Sequence, residues 1–195
     1  MLYELKNWCD MAGVEFLASC FDAEMVSWAE EVGMRRYKIA SNCIYNKGVA
    51  LAVHNTGKPV ILSYGMVDEA IVPDIFKLAT EDGVFNPDIT KLYCVSKYPA
   101  TLEDVEFVIK YRENSFNVFS YYDGFSDHTE GLSASIVAMS LGATMIEKHI
   151  TLDKGMDGPD HKCSLTLGEL AELCAYRDDV ERLLYGKDET TTEEK

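Results

Sequence analysis

The strongest constraint on the fold is the stretch from Gly124 to Ser164, GFSDHTEGLSASIVAMSLGATMIEKHITLDKGMDGPDHKCS. Two short apolar runs in it end in histidine, Phe125–His128 and Met145–His149. Between them Thr129 offers an N-cap, the run 133–141 is small and apolar, and Gly142 can close a helix. The unit therefore reads strand, helix, strand, with each histidine at the C-terminal tip of its strand. That edge is where parallel α/β folds bind ligands. Side chains alternate along a strand. Ser126 and His128 thus share one face and Asp127 points away; Glu147 and His149 share a face and Lys148 points away. Adjacent parallel strands would bring the two imidazoles together. Two imidazoles with carboxylates and water suit Mn²⁺, Fe²⁺, Co²⁺ or Zn²⁺; the other reading is a pair of hydrogen-bonded structural histidines. Ser126-Asp127-His128 does not form a hydrolase triad, because strand neighbours face opposite ways.

The rest of the chain repeats this rhythm. Strands are predicted near 15–19, 36–41, 60–64, 91–96, 119–127 and 144–150. Helices are predicted over 2–13, closed by Gly13; over 23–32, capped by Asp22 and ended by Gly33; and over 44–55, closed near Gly57. A further helix is expected from about Asp68 to Thr80, with Pro73 kinking or restarting it. Thr101 with Asp104 resembles a capping box for a helix to about Tyr111, and Thr166 with Glu169 makes one for a helix to Tyr185, stopped by Gly186. Six strand–helix units with short apolar strands indicate α/β architecture, either an open parallel sheet or a (β/α)8 barrel. No GxGxxG or P-loop pattern occurs. Residues 1–187 read as one domain and 188–195 as an acidic, solvated tail.

Composition narrows the function classes. The 195 residues are 47% hydrophobic, enough for a substantial core. No run of 18 apolar residues is present and the N-terminus lacks a signal-peptide pattern. Net charge is −15, from 33 acidic and 18 basic residues, which argues against nucleic acid and against anionic membrane as partners. Cysteines 9, 20, 43, 94, 163 and 174 are scattered without zinc spacing, so reduced thiols and a cytoplasmic location are expected.

GFSDHT, EKHITLDK and GPDHKCSL, in this order and spacing, resemble the sialic acid synthase family, the phosphoenolpyruvate-condensing enzymes that make N-acetylneuraminate and related nonulosonic acids. The resemblance implies a TIM barrel, here incomplete, with about six of eight β/α units; a full barrel takes about 250 residues. It implies that His128 and His149 hold a divalent metal, Mn²⁺ foremost, and that Asp160 contacts the N-acyl sugar and positions or deprotonates one of its hydroxyls. At the other strand ends it matches Ser19 in LASCF, Lys38 and Ser41 in YKIAS, Ser63 in ILSYGM, Ser96 and Tyr98 in CVSKYPA, and Ser126 to substrate-binding positions. Lys38 would hold the phosphate and carboxylate of phosphoenolpyruvate through the reaction. A lysine ringed by hydroxyls and backbone N–H groups is what such an anion needs. Each residue also has a plainer reading: a strand-end serine caps the next helix, a strand lysine reaches along its stem to solvent, and Tyr98 packs beside Pro99. His161 reads as a support or substrate contact, His54 as helix surface, and Cys43 and Cys94 as buried thiols.

Departures from the family pattern shape the expectation. Cys20 replaces a proline, and Cys43 stands where an acidic sugar contact is usual. The family's first two strands, with a glutamate, a second lysine and an asparagine, have no counterpart, nor has its C-terminal antifreeze-like domain. The expected function is condensation of phosphoenolpyruvate with an N-acylated aldose such as N-acetylmannosamine, impaired by truncation. A homo-oligomer or a separately encoded N-terminal fragment would complete the site, since open parallel edges invite association. The alternatives are a synthase for legionaminate, pseudaminate or a spore-coat sugar, and a non-catalytic metal- or sugar-phosphate-binding module.

Overall fold

The computed structural model describes residues 1–65, 67–68, 88–105 and 117–186. The helix predicted over 68–80, the helical continuation towards Tyr111 and the tail 188–195 lie outside these residues. The chain divides into two compact units, Met1–Ser96 and Lys97–Lys195.

In the first unit, helix α1 (Leu2–Ala12) ends where Gly13 takes the left-handed conformation at φ 70°. None of its residues is buried, and Tyr3, Trp8 and Met11 stay exposed. Helix α2 (Ala23–Glu31) begins where the Asp22 carboxylate accepts the Met25 N–H at 2.8 Å. Strand β1 (Tyr37–Ile39) leads through a single 3-10 turn, Ser41–Cys43, to helix α3 (Lys47–Thr56). That helix starts later than the expected residue 44 because the Asn46 side chain accepts from the Gly48 and Val49 N–H groups and fixes the cap there. Strands β2 (Val60–Tyr64) and β3 (Ile89–Cys94) follow, and β1, β2 and β3 pair in parallel in that order. Tyr37, Ile39, Val60 and Leu62 are essentially inaccessible. Val49, Ala50 and Val53 are the buried residues of α3, which packs on α2.

The strand expected near 15–19 is not a regular strand. It touches β1 through one bridge, Ser19 to Lys38, supported by the Cys20 N–H donating to the Lys38 carbonyl at 3.1 Å. Phe16 and Cys20 are buried while Val14 and Leu17 are exposed, so the segment packs on one side only among the described residues.

In the second unit the Thr101–Asp104 capping box forms and closes a 3-10 turn at Leu102–Asp104. Strand β4 (Gly124–Asp127) is shorter than predicted, because the Asn117 side chain accepts the Phe119 N–H and winds 118–120 into a 3-10 turn. Helix α4 (Ser133–Ser140) and strand β5 (Met145–Lys148) follow, β5 pairing in parallel with β4. Thr129 is not the N-cap of α4: its N–H and hydroxyl both go to Asp127, and the helix starts after Leu132. Helix α5 (Leu167–Tyr185) has the predicted Thr166–Glu169 capping box and stops at Gly186. Met139, Leu165 and Leu173 form a buried core, flanked by Leu132, Ile136, Ile146 and Val180. Among the described residues no helix is long and apolar enough to cross a membrane.

Candidate functional site

The first unit gathers polar groups at its strand ends. Lys38 lies in the middle of β1, opposite Ile61, and is only 5% exposed. Ser63, near the end of β2, is buried as well. Ser41 opens the 3-10 turn after β1, and its hydroxyl accepts the Gly65 N–H at 2.9 Å. Gly65 is a residue that sequence reasoning passed over. A β-carbon there would collide with the Ser96 hydroxyl and sit 2.8 Å from that of Ser41 and 3.0 Å from the Cys94 thiol. Glycine therefore lets Ser41 and Ser96 close on one small cradle of hydroxyls and backbone. Ser19 joins β1 at Lys38 through its bridge. Cys43 sits on the same turn as Ser41, and burial pushes its thiol pKa up, so it stands as a neutral group. The Cys20 thiol is pushed up to about 11, by burial and then by Asp22. All six cysteines are free thiols.

The second unit brings the histidines together. Asp127 and Lys148 are register partners at the ends of β4 and β5, and His128 and His149 each follow directly. The imidazole centroids lie 5.4 Å apart. His128 is buried at 6% exposure, whereas the His149 side chain is 36% exposed. Tyr98 covers the pair, its ring 4.1 Å from that of His128 and edge-on to His149 at 5.7 Å. Asp160 places a carboxylate oxygen 4.0 Å from His149 Nδ1, too far for a hydrogen bond. Its backbone carbonyl accepts from the Ser164 hydroxyl and the Cys163 thiol, which fixes the loop. Burial, then Asp160, raises the Cys163 pKa. Ser126 lies buried on β4, on the face of His128 by strand alternation. His161 Nδ1 is 2.8 Å from the Thr151 hydroxyl, which donates its hydrogen to the Asp153 carbonyl; this histidine supports the 151–161 loop.

The donor set can be tested against a metal. Among the described residues no group of three or more His, Cys, Asp or Glu side chains is placed to hold an ion. The unit offers two imidazoles with centroids 5.4 Å apart and a carboxylate 4.0 Å from one of them; two such nitrogen ligands would suit an open site completed by water or substrate, and not a closed structural cage.

The NeuB family matches residues 1–189. The chain belongs to that family. It is 36% identical over 171 residues to the N,N'-diacetyllegionaminic acid synthase of Campylobacter jejuni, covering 88% of this chain and 51% of that protein. It is 34% identical over 182 residues to the human N-acetylneuraminate-9-phosphate synthase, covering 93% of this chain and 49% of that one. The crystal structure of N-acetylneuraminic acid (sialic acid) synthetase from Leptospira borgpetersenii, in complex with citrate, superposes with a TM-score of 0.79 at 29% identity, over 97% of this chain and 65% of that one. The chain thus spans about half the length of the curated relatives it matches. The fold class is the expected one, α/β of TIM-barrel type with part of the barrel's units.

Proposed function

We propose that the chain serves nonulosonic acid synthesis, as part of a synthase that joins phosphoenolpyruvate to an N-acylated aldose such as N-acetylmannosamine and releases phosphate. In that reaction C3 of phosphoenolpyruvate bonds to the aldehyde carbon, water adds at C2, and the C2–O bond to phosphate breaks. The observation that carries the reading is the His128–His149 pair under Tyr98, beside Asp160, in a chain of this family.

In the first unit the buried Lys38 ammonium, with Ser19, Ser41, Ser63 and Ser96, would bind the phosphate and carboxylate. Such groups act by orientation and charge neutralisation. In the second unit His128 and His149 would hold a divalent ion, Mn²⁺ foremost, which when bound supplies Lewis-acid polarisation of the sugar aldehyde. Asp160 would position or deprotonate a sugar hydroxyl, Tyr98 would line the sugar, and Ser126 would add a further anion contact. The neutral Cys43 in place of an acidic side chain leaves the identity of the acyl-sugar to be selected by other contacts.

The test is phosphate release from phosphoenolpyruvate with Mn²⁺ and N-acetylmannosamine, N,N'-diacetyllegionaminate precursor sugar or a pseudaminate precursor, for the wild type and His128→Ala. Release that needs both sugar and His128 supports the reading. A folded protein without Mn²⁺ affinity, in which His128→Ala changes nothing, overturns it.

A further inference from the structure

The two strand tips are tied by a buried ion pair one residue before each histidine. Asp127 and Lys148 are Cα partners, so His128 and His149 stand next in the same register. Lys148 Nζ lies 3.0 Å from Asp127 Oδ2, with the two side chains 3% and 0% exposed. Strand alternation puts this pair on the face opposite the imidazoles. Asp127 is saturated with partners: Oδ1 accepts the Thr129 N–H and hydroxyl, each at 2.8 Å, and Oδ2 accepts the Ser135 hydroxyl at 2.6 Å. Lys148 also donates to the Thr129 carbonyl. The residues on both sides of His128 are therefore anchored to the residue directly before His149.

Desolvating two charges is a poor way to gain stability, since apolar side chains of similar volume hold strands together at least as well. What an ion pair with fixed partners adds is direction. The remaining freedom of each tip is removed on its other side. The His128 carbonyl accepts the Ala100 N–H at 2.9 Å, and the His149 carbonyl accepts the Leu165 N–H at 2.8 Å. We propose that Asp127 and Lys148 are positioning residues: they lock the register and twist of the two tips so that both imidazoles face one ion. The inference rests on the metal-binding role proposed above, and the test separates the two.

The variant is Asp127→Asn with Lys148→Met, which removes both charges together and leaves neither unpaired. Two readouts are taken on folded protein: Mn²⁺ affinity, measured by electron paramagnetic resonance with Mn²⁺ alone, and ring-to-ring nuclear Overhauser effects among Tyr98, His128 and His149 without metal. Leu173→Ala, on the buried face of α5, is the stability control and should lower the urea midpoint while keeping wild-type Mn²⁺ affinity. The double variant is expected to bind Mn²⁺ about 10- to 100-fold more weakly, the usual effect of disturbing what orients a metal ligand, and to lose the His128–His149 contact. Wild-type affinity with unchanged ring contacts overturns the proposal. Should the wild type itself bind no Mn²⁺, the metal reading fails, and the metal-free ring contacts alone decide the positioning role. If the double variant does not fold, Ser135→Ala, which removes one hydrogen bond from Asp127, decides by the same two readouts.

Discussion

The ring of Tyr98 lies against the imidazole of His128, centroids 4.1 Å apart and planes tilted by 43°, while His128 itself is almost fully buried. The phenol therefore acts as a wall for the more deeply set of the two histidines, and His149 meets the same ring edge-on.

Removing that wall should loosen His128 without removing a donor. An aromatic pair is worth about 0.5–1.5 kcal/mol beyond its buried area. Tyr98→Ala is thus expected to weaken Mn²⁺ binding by about 2- to 12-fold, and Tyr98→Phe, which keeps the ring, to leave it near the wild-type value. Titration of Mn²⁺ followed by electron paramagnetic resonance measures both. Equal losses in the two variants would mean that the hydroxyl, not the ring, carries the effect.

Gly65→Ala tests the hydroxyl cradle. The added methyl meets Ser96, and Ser41 cannot turn away without giving up the hydrogen bond it accepts from the Gly65 N–H. Overpacking of this kind typically costs about 1–3 kcal/mol. A lower urea midpoint is expected, together with weaker phosphoenolpyruvate binding by calorimetry. An unchanged midpoint and unchanged affinity would show that the serines are free to move apart.

Much of this site is legible in the sequence, and the reasons are physical. GFSDH and MIEKH each end an apolar run in histidine, and strand alternation alone places Asp127 and Lys148 opposite the imidazoles. Asp22, Thr101 and Thr166 sit at the predicted caps because their partners are three residues away, within reach of a local rule. Thr129 defeats the same rule: Asp127 captures its N–H and hydroxyl, and a sequence does not reveal which of two nearby acceptors wins. Gly65 was hidden for another reason. Its role depends on Ser41, from the turn after β1, meeting Cys94 and Ser96 at the end of β3, a relation only packing creates. The segment at 15–19 has the apolar content of a strand, but a regular ladder needs neighbours that the sequence pattern does not supply.

Lys38→Met should separate anion binding from folding. Methionine keeps the unbranched stem within β1 and removes only the charge, so the fold is expected to persist. A hydrogen bond to a charged group is worth about 1.5–3 kcal/mol, so phosphoenolpyruvate affinity should fall about 10- to 150-fold, with Mn²⁺ affinity unchanged. Calorimetric titration with each ligand checks this. A variant that binds phosphoenolpyruvate like the wild type would remove Lys38 from the anion site.

The start of α5 should carry an acid-sensitive contribution to stability. The Glu169 carboxylate accepts three contacts, from the Lys154 ammonium at 2.6 Å, the Thr166 N–H at 2.8 Å and the Thr166 hydroxyl at 3.0 Å. The Lys154 hydrogen bond first, then the Thr166 N–H, lowers its pKa from the ordinary 4.5 to about 2. A carboxyl whose folded pKa lies below its unfolded one stabilises the fold above the unfolded value and loses that contribution as pH falls through the folded one. The stabilisation is therefore complete above about pH 4.5 and fades towards pH 2. The side chain is 32% exposed, so salt should weaken the interaction. Urea unfolding of wild type and Glu169→Gln across this range checks the sign: the difference between them should shrink as pH falls. Thr166→Ala, which removes the reciprocal cap, should cost about 1 kcal/mol at neutral pH. A wild-type-to-Gln difference that grows on acidification would contradict the assignment.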